Sequence, residues 1–338
     1  MRCTLRSVAR PLIALLLAGL VGTCAAQAAL APGRGVEVRP AQSPLAEESF
    51  QTRLVARALA ALGYRIAPTV HASYADAHRI IARGEAHFMA GHWDPLHADF
   101  FEAAGGRRHL SLAGALTANT VQGYLVDRKT ADALGIQGVE QLRDPNIARV
   151  FDDDGDGKAD LAGCEAGWGC RRVIDHQLVR YGLAATVTHH TGPYERLIDR
   201  VIERQHAGLP VLFYAWTPHW VSEVLVPGRD TRWLTVPFSS QPGHEDPTRT
   251  ALPDGTDYGF ELNTIRIVVN RAFAAAHPDA LALFELLRLP AADISAQNLR
   301  MHQGERSDTD IERHVSDWIA RHRVSWDGWL RQARAAAP

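Results

Sequence analysis

Three tryptophans sit in short segments that carry Gly or Pro: Gly91-His92-Trp93-Asp94-Pro95-Leu96-His97, Cys164-Glu165-Ala166-Gly167-Trp168-Gly169-Cys170 and Trp216-Thr217-Pro218-His219-Trp220. Any one of these rings is most simply a packed or half-buried indole. Three of them, each expected in a loop, point to a shared aromatic box. The chemistry that needs such a box is capture of a quaternary ammonium, which has no N–H to donate and must be held by ring faces. Each face contributes ~0.5–2 kcal/mol once desolvated. Three rings supply ~2–6 kcal/mol, whereas micromolar binding requires about 8 kcal/mol. An anionic end must therefore be anchored too, and adjacent backbone N–H groups of Gly169 and Cys170 are candidates. His97 is a candidate side-chain donor, against the plainer reading of a surface or helix-start histidine.

The acidic run Asp152-Asp153-Asp154-Gly155-Asp156-Gly157-Lys158-Ala159-Asp160 follows the opening of an EF-hand calcium loop. Its twelfth position is Gly163 instead of the bidentate Glu. A weak Ca²⁺ site on Asp152, Asp154, Asp156 and Asp160 stands beside a polar turn that uses Asp and Gly for backbone reasons. Enzyme readings lack support, because G-x-S-x-G, P-loop and H-E-x-x-H patterns are all missing. His189-His190 has no helical i, i+4 partner, which leaves a histidine-based metal-uptake protein as a distant alternative.

The chain has 338 residues, enough for two lobes. Hydrophobic content of 46% and charge of 22% are those of a soluble globular protein. A formal charge of -2 provides no footprint for nucleic acid or an anionic membrane. Residues 1–28 read as a signal peptide: Arg2, Arg6 and Arg10, an apolar run over 12–21, then the cleavage pattern Ala26-Gln27-Ala28. That run is about half of the ~20 residues needed to span a bilayer. Lipidation at Cys24 ranks second, since Thr23 fits poorly before a lipidated cysteine. Export leaves Cys164 and Cys170 as the remaining cysteines, with five residues between them. In an oxidising compartment such a pair is most simply a local disulfide, with two free buried thiols as the alternative.

These segments need a scaffold, and the pattern predicts one of α/β class. A strand over 35–39 precedes a helical stripe of Phe50, Leu54, Ala58, Leu59 and Leu62, ending at Gly63. A strand over 64–66, a helix over 75–83 and a strand over 86–90 follow, the last feeding the loop that carries Trp93. Further strands are expected over 122–126, 187–188, 211–214 and 265–269. Helices are expected over 129–134, 194–204 and 272–289, with a polar helical tail over 308–336. Residues 241–257 read as a long surface loop. Loops at the carboxyl ends of strands in such a sheet are where ligands sit.

With these segments in view, the chain resembles the periplasmic glycine betaine/proline betaine-binding family that serves ProU-type osmoprotectant ABC importers. The likeness covers nearly all of the mature chain. It is carried by Glu48-Ser49-Phe50-Gln51-Thr52, by Trp93 with Pro95-Leu96-His97, by 100–106, by 155–161, by Gly167-Trp168-Gly169-Cys170, by Trp216-Thr217-Pro218 with Trp220, and by 292–298. The resemblance implies a two-lobed solute-binding fold of type II, with the ligand cleft between lobes of 29–121 plus 256–338 and 122–255. It implies that Trp93, Trp168 and Trp216 enclose the ammonium, that His97 and the N–H groups of Gly169 and Cys170 take the carboxylate, and that Cys164 pairs with Cys170. It further implies a monomeric periplasmic binder with no enzymatic activity, whose partner is an inner-membrane permease. Choline, carnitine or taurine binding, or an enzyme acting on a quaternary amine, are the rivals. His92 and Asp94 stand where the family carries Asn and Thr, and Ala215 and His219 also depart from it. An acid at Asp94 would attract the cation or repel the carboxylate, depending on which end it faces.

Overall fold

The computed structural model describes residues 31–338 apart from 245 and 248. The expected signal segment 1–28, with Cys24, lies outside the described residues. Among those described, no helix is long and apolar enough to cross a membrane.

Eight strands build the two main sheets: β1 (Phe88–Asp94), β2 (Leu110–Thr120), β3 (Gln122–Asp127), β4 (Ala159–Ala162), β5 (Val187–His190), β6 (Leu212–Trp216), β7 (Thr231–Trp233) and β8 (Asn263–Asn270). The first sheet is antiparallel, in the order β1-β8-β2. The second runs β7-β3-β6-β4-β5, with β6, β4 and β5 mutually parallel and β3 antiparallel to both its neighbours. Helices cover both sheets, giving the two-lobed α/β architecture expected from the sequence.

The amphipathic stripe is the helix Ser49–Ala61, and Phe50, Leu54, Ala58, Leu59 and Leu62 are all buried. It packs on β1 and on the helix Asp308–Arg321. Four expectations need correction. Trp93 lies within β1, not in a loop after it, because pairing with β8 holds the chain extended through Trp93 opposite Ile265 and Asp94 opposite Thr264. Trp216 likewise closes β6, held by its register with Gln122. The stretch over 272–289 is two helices, Arg271–Ala276 and Pro278–Leu286. Proline cannot donate into a preceding turn and disfavours a helical residue before it, and His277 accordingly leaves the helical region at φ -130°, ψ 72°. The tail also divides, at His322 with φ -106° and ψ 24°, into Asp308–Arg321 and Arg323–Ala335, here without a proline.

The long strand β2 has no counterpart in the sequence reading. Its run is broken by Gly114 at φ 60° and Asn119 at φ 58°, and its pairing with β8 shifts register twice. Gly114 is required there, since a Cβ would lie 2.3 Å from the carbonyl oxygen of Phe284. The segment 241–257 is irregular as expected, yet it is tied down: Thr250 Oγ1 bonds both Ser239 Oγ and Asp257 Oδ1 at 2.6 Å.

Candidate functional site

The six residues singled out from the sequence, Trp93, His97, Trp168, Gly169, Cys170 and Trp216, line one cleft of about 40 Å³ that is open to solvent. Two strand ends and two helix starts bring them together. Trp93 comes from β1 of the first sheet and Trp216 from β6 of the second. Trp168 caps the helix Gly169–Arg180 in an extended conformation, with no side-chain hydrogen bond to the turn it opens. Its ring meets that of Trp216 edge-on, with centroids 5.5 Å apart and planes at 82°. Tyr194 buttresses both, 4.6 Å from Trp216 and 5.8 Å from Trp168.

Because Trp168 is the cap, Gly169 and Cys170 are the first two helical residues. A helix leaves its first N–H groups without internal partners, and the macrodipole makes that end attractive to an anion. Among the described residues neither N–H has a hydrogen-bond acceptor. Gly169 also admits a close approach, since a Cβ there would lie 3.0 Å from both the Cγ and the carbonyl oxygen of Leu96. The disulfide joins Cys164 to Cys170 across a Cα separation of 6.1 Å and ties the preceding loop to the first turn.

His97 is both a helix-start residue and a cleft residue. It precedes the helix Ala98–Ala103, and its Nδ1 accepts the backbone N–H of Trp93 at 3.2 Å. The proton of the neutral ring is therefore on Nε2, which has no protein partner among the described residues. Burial, and then the neighbouring His92 and His78, hold this imidazole well below the usual histidine range. At neutral pH it is an uncharged N–H donor.

His92 turns away from the cleft and joins a buried stack. Its Nδ1 lies 2.8 Å from His78 Nε2, and His78 Nδ1 lies 2.6 Å from the carbonyl oxygen of Tyr74. Burial pushes His78 down to about 4, and burial, then His78 and Arg266, holds His92 well below its ordinary value. The unfolded chain takes up protons near pH 6.5 while the folded stack does not, so the stack's contribution to stability is complete above about 6.5 and is lost as pH falls toward 4. His78 alone accounts for roughly 3 kcal/mol of that loss. Glu48 acts with the opposite sign: burial raises it to about 7, so its contribution fades as pH rises from about 4.5 to 7. One carboxyl does not offset three imidazoles. Urea unfolding is expected to show a midpoint that falls between pH 6.5 and 4, and His92→Asn should shrink the fall; a midpoint level across this range would contradict the neutral stack.

Asp94, whose influence on either ligand end the sequence left open, is engaged elsewhere. Its Oδ2 accepts Arg266 Nε at 2.7 Å, and it does not line the cleft. Tyr74, Gln122 and Tyr214 do line it and escaped the sequence reading. Gln122 Oε1 accepts the Tyr214 hydroxyl at 2.6 Å, while its Nε2 is buried without a partner. Its register opposite Trp216 is the signal, and only strand pairing reveals it.

The acidic run forms a turn away from the cleft. Asp152 accepts the N–H groups of Gly155 at 2.7 Å and Gly157 at 2.8 Å, and Asp160 accepts that of Asp154 at 3.1 Å. Asp153 pairs with Arg200 and Arg204. Carboxylate oxygens of Asp152, Asp154 and Asp156 lie within 4.8 Å of one another, as do ligand atoms of Asp154, Asp160 and His190.

Residues 36–321 match the family described as the substrate binding domain of ABC-type glycine betaine transport system. The chain is 52% identical over 306 residues to the glycine betaine-binding periplasmic protein OusX of Dickeya dadantii (strain 3937), covering 90% of this chain and 92% of that protein. It is 48% identical over 305 residues to the glycine betaine/proline betaine-binding periplasmic protein of Escherichia coli (strain K12), covering 90% and 92%. Its fold is similar to that of lactococcal OpuAC, solved closed and complexed with glycine betaine, with a TM-score of 0.65 at 18% identity over 87% of this chain and 99% of that one. By the match over most of its length, the chain belongs to the family of substrate-binding domains of ABC-type glycine betaine transport systems.

Proposed function

We propose that the protein captures glycine betaine or proline betaine in the periplasm and delivers it to an inner-membrane ABC permease, supporting osmoprotection. The observation that supports this most is the pairing of two chemistries in one cleft. Indole faces at Trp93, Trp168 and Trp216 suit a cation without protons, and the N–H groups of Gly169, Cys170 and His97 suit a carboxylate. That donor set favours a betaine over choline, which has no carboxylate to bind. Trp93 and His97 belong to the proposed lobe of 29–121 and 256–338, and the remaining four residues to the lobe of 122–255. A ligand that bridges them favours the closed state, which a permease can read. The protein acts as a monomer and needs no cofactor for this chemistry.

A thermal-shift and calorimetric screen of the mature protein tests the reading, with and without EDTA. Glycine betaine and proline betaine are expected to raise the melting temperature most, with EDTA making no difference. Choline, carnitine or taurine outranking both betaines would sink the assignment. An affinity lost on chelation would return the Asp152, Asp154, Asp156 and Asp160 turn to consideration as a calcium site.

A further inference from the structure

A second, smaller cavity adjoins the aromatic cleft. Trp93 and Trp216 line both, and Glu47, His219 and Asn298 help close the second. At about 20 Å³ it holds one water at most. Glu47 is only 7% exposed, and its Oε2 has no hydrogen-bond partner; neither ring nitrogen of the buried His219 has one. His219 Nε2 lies 3.7 Å from Glu47 Oε1, beyond hydrogen-bond reach, and Asn298 donates to the backbone oxygen of Glu47 and not to its carboxylate.

The neighbouring carboxyl behaves differently. Glu48 Oε2 accepts Ser43 Oγ at 2.8 Å and its Oε1 accepts the Tyr74 hydroxyl at 2.8 Å, and burial raises it to about 7. For Glu47 burial pushes in the same direction, but His219, the residue's own backbone N–H and the Trp220 side chain together leave the carboxyl below its ordinary value. Two adjacent buried acids are thus split, and Glu47 is the one that stays charged. A buried anion with an unpaired oxygen is costly unless a positive charge lies close by. His219 also packs on Trp216, with ring centroids 4.3 Å apart, so the acid and the cage share a wall.

We propose that the Glu47 carboxylate is the counter-charge of the aromatic cage, acting across Trp93 and Trp216 to select a cation over a neutral group of the same shape. Ring faces desolvate an ammonium without neutralising it, and in a low-dielectric site an anion one ring away is felt strongly. Glu47 thereby sets charge selectivity without touching the ligand. This inference rests on the proposed reading of the cleft as a quaternary-ammonium site.

The test compares glycine betaine with tert-butylacetate, in which carbon replaces the ammonium nitrogen and the carboxylate is kept. Calorimetry on wild type and Glu47→Gln gives the ratio of the two affinities. Glu47→Gln is expected to weaken glycine betaine about tenfold and to leave tert-butylacetate unchanged or tighter. An unaltered betaine affinity, or equal losses for both ligands, would overturn the proposal; equal losses would mark Glu47 as merely structural. Should the Gln variant not fold, Glu47→Met removes the buried polar group altogether and is read by the same ratio. A folded wild-type protein that binds no betaine would overturn the proposed function and this inference with it. Betaine binding that persists unchanged in the variants would overturn this inference alone.

Discussion

Trp216→Ala is expected to weaken glycine betaine binding about 100-fold, close to 3 kcal/mol. A single desolvated ring face accounts for ~1–2 kcal/mol of this. The rest comes from neighbours, because Trp216 is the ring against which Trp168 stands edge-on and Tyr194 packs. Trp168 is itself less buried and lies at the mouth of a helix, so Trp168→Ala should cost only ~1–2 kcal/mol. Trp216 is 6% exposed, and its truncation is also expected to lower folding stability by ~3–5 kcal/mol. Calorimetric titration should therefore be paired with thermal unfolding, and performed well below the variant's transition. A folded Trp216→Ala protein with wild-type affinity would remove this ring from the site.

Proline betaine should bind at least about 100-fold more tightly than proline itself, although the two share a ring and a carboxylate. The difference is the pair of N–H groups on proline. Water satisfies them, whereas indole faces do not, so entering the cage strips hydrogen bonds without replacement. The cleft offers little to compensate: among the described residues no carboxylate lines it, and Gln122 Oε1 already accepts the Tyr214 hydroxyl. Competition calorimetry against glycine betaine measures both constants. Comparable affinities would show that the anionic end alone governs recognition, and the cage would lose its role.

Much of the site was legible because its chemistry is written in uncommon residue types. Three indoles beside Gly or Pro, and a Cys pair flanking Trp168-Gly169, are conspicuous in one dimension. Tyr74, Gln122 and Tyr214 were not, for a simple reason. Each lies within or beside an ordinary helix or strand pattern, and a residue there faces the core or a ligand depending on partners distant in sequence. Gln122 matters through its register with Trp216, 94 positions further on. Glu47 and Glu48 differ even less in sequence, yet their surroundings, His219 and Trp220 beside one and near-complete burial of the other, shift their carboxyls in opposite directions.

The amino-acid sequence by itself determined the α/β class, the amphipathic helix over Phe50 to Leu62, the family, and three indoles near Gly or Pro that the structure brings to one cleft. The class and the helix follow from local periodicity and turn chemistry, and the family from the resemblance carried by motifs along the chain. Tertiary structure alone decided that Trp93 lies within a strand and Trp216 closes one, that Asp94 is taken by Arg266, and that the N–H groups of Gly169 and Cys170 begin a helix uncapped. Strand pairing and burial act between segments 94 and 172 residues apart, and no local pattern records which of them will meet.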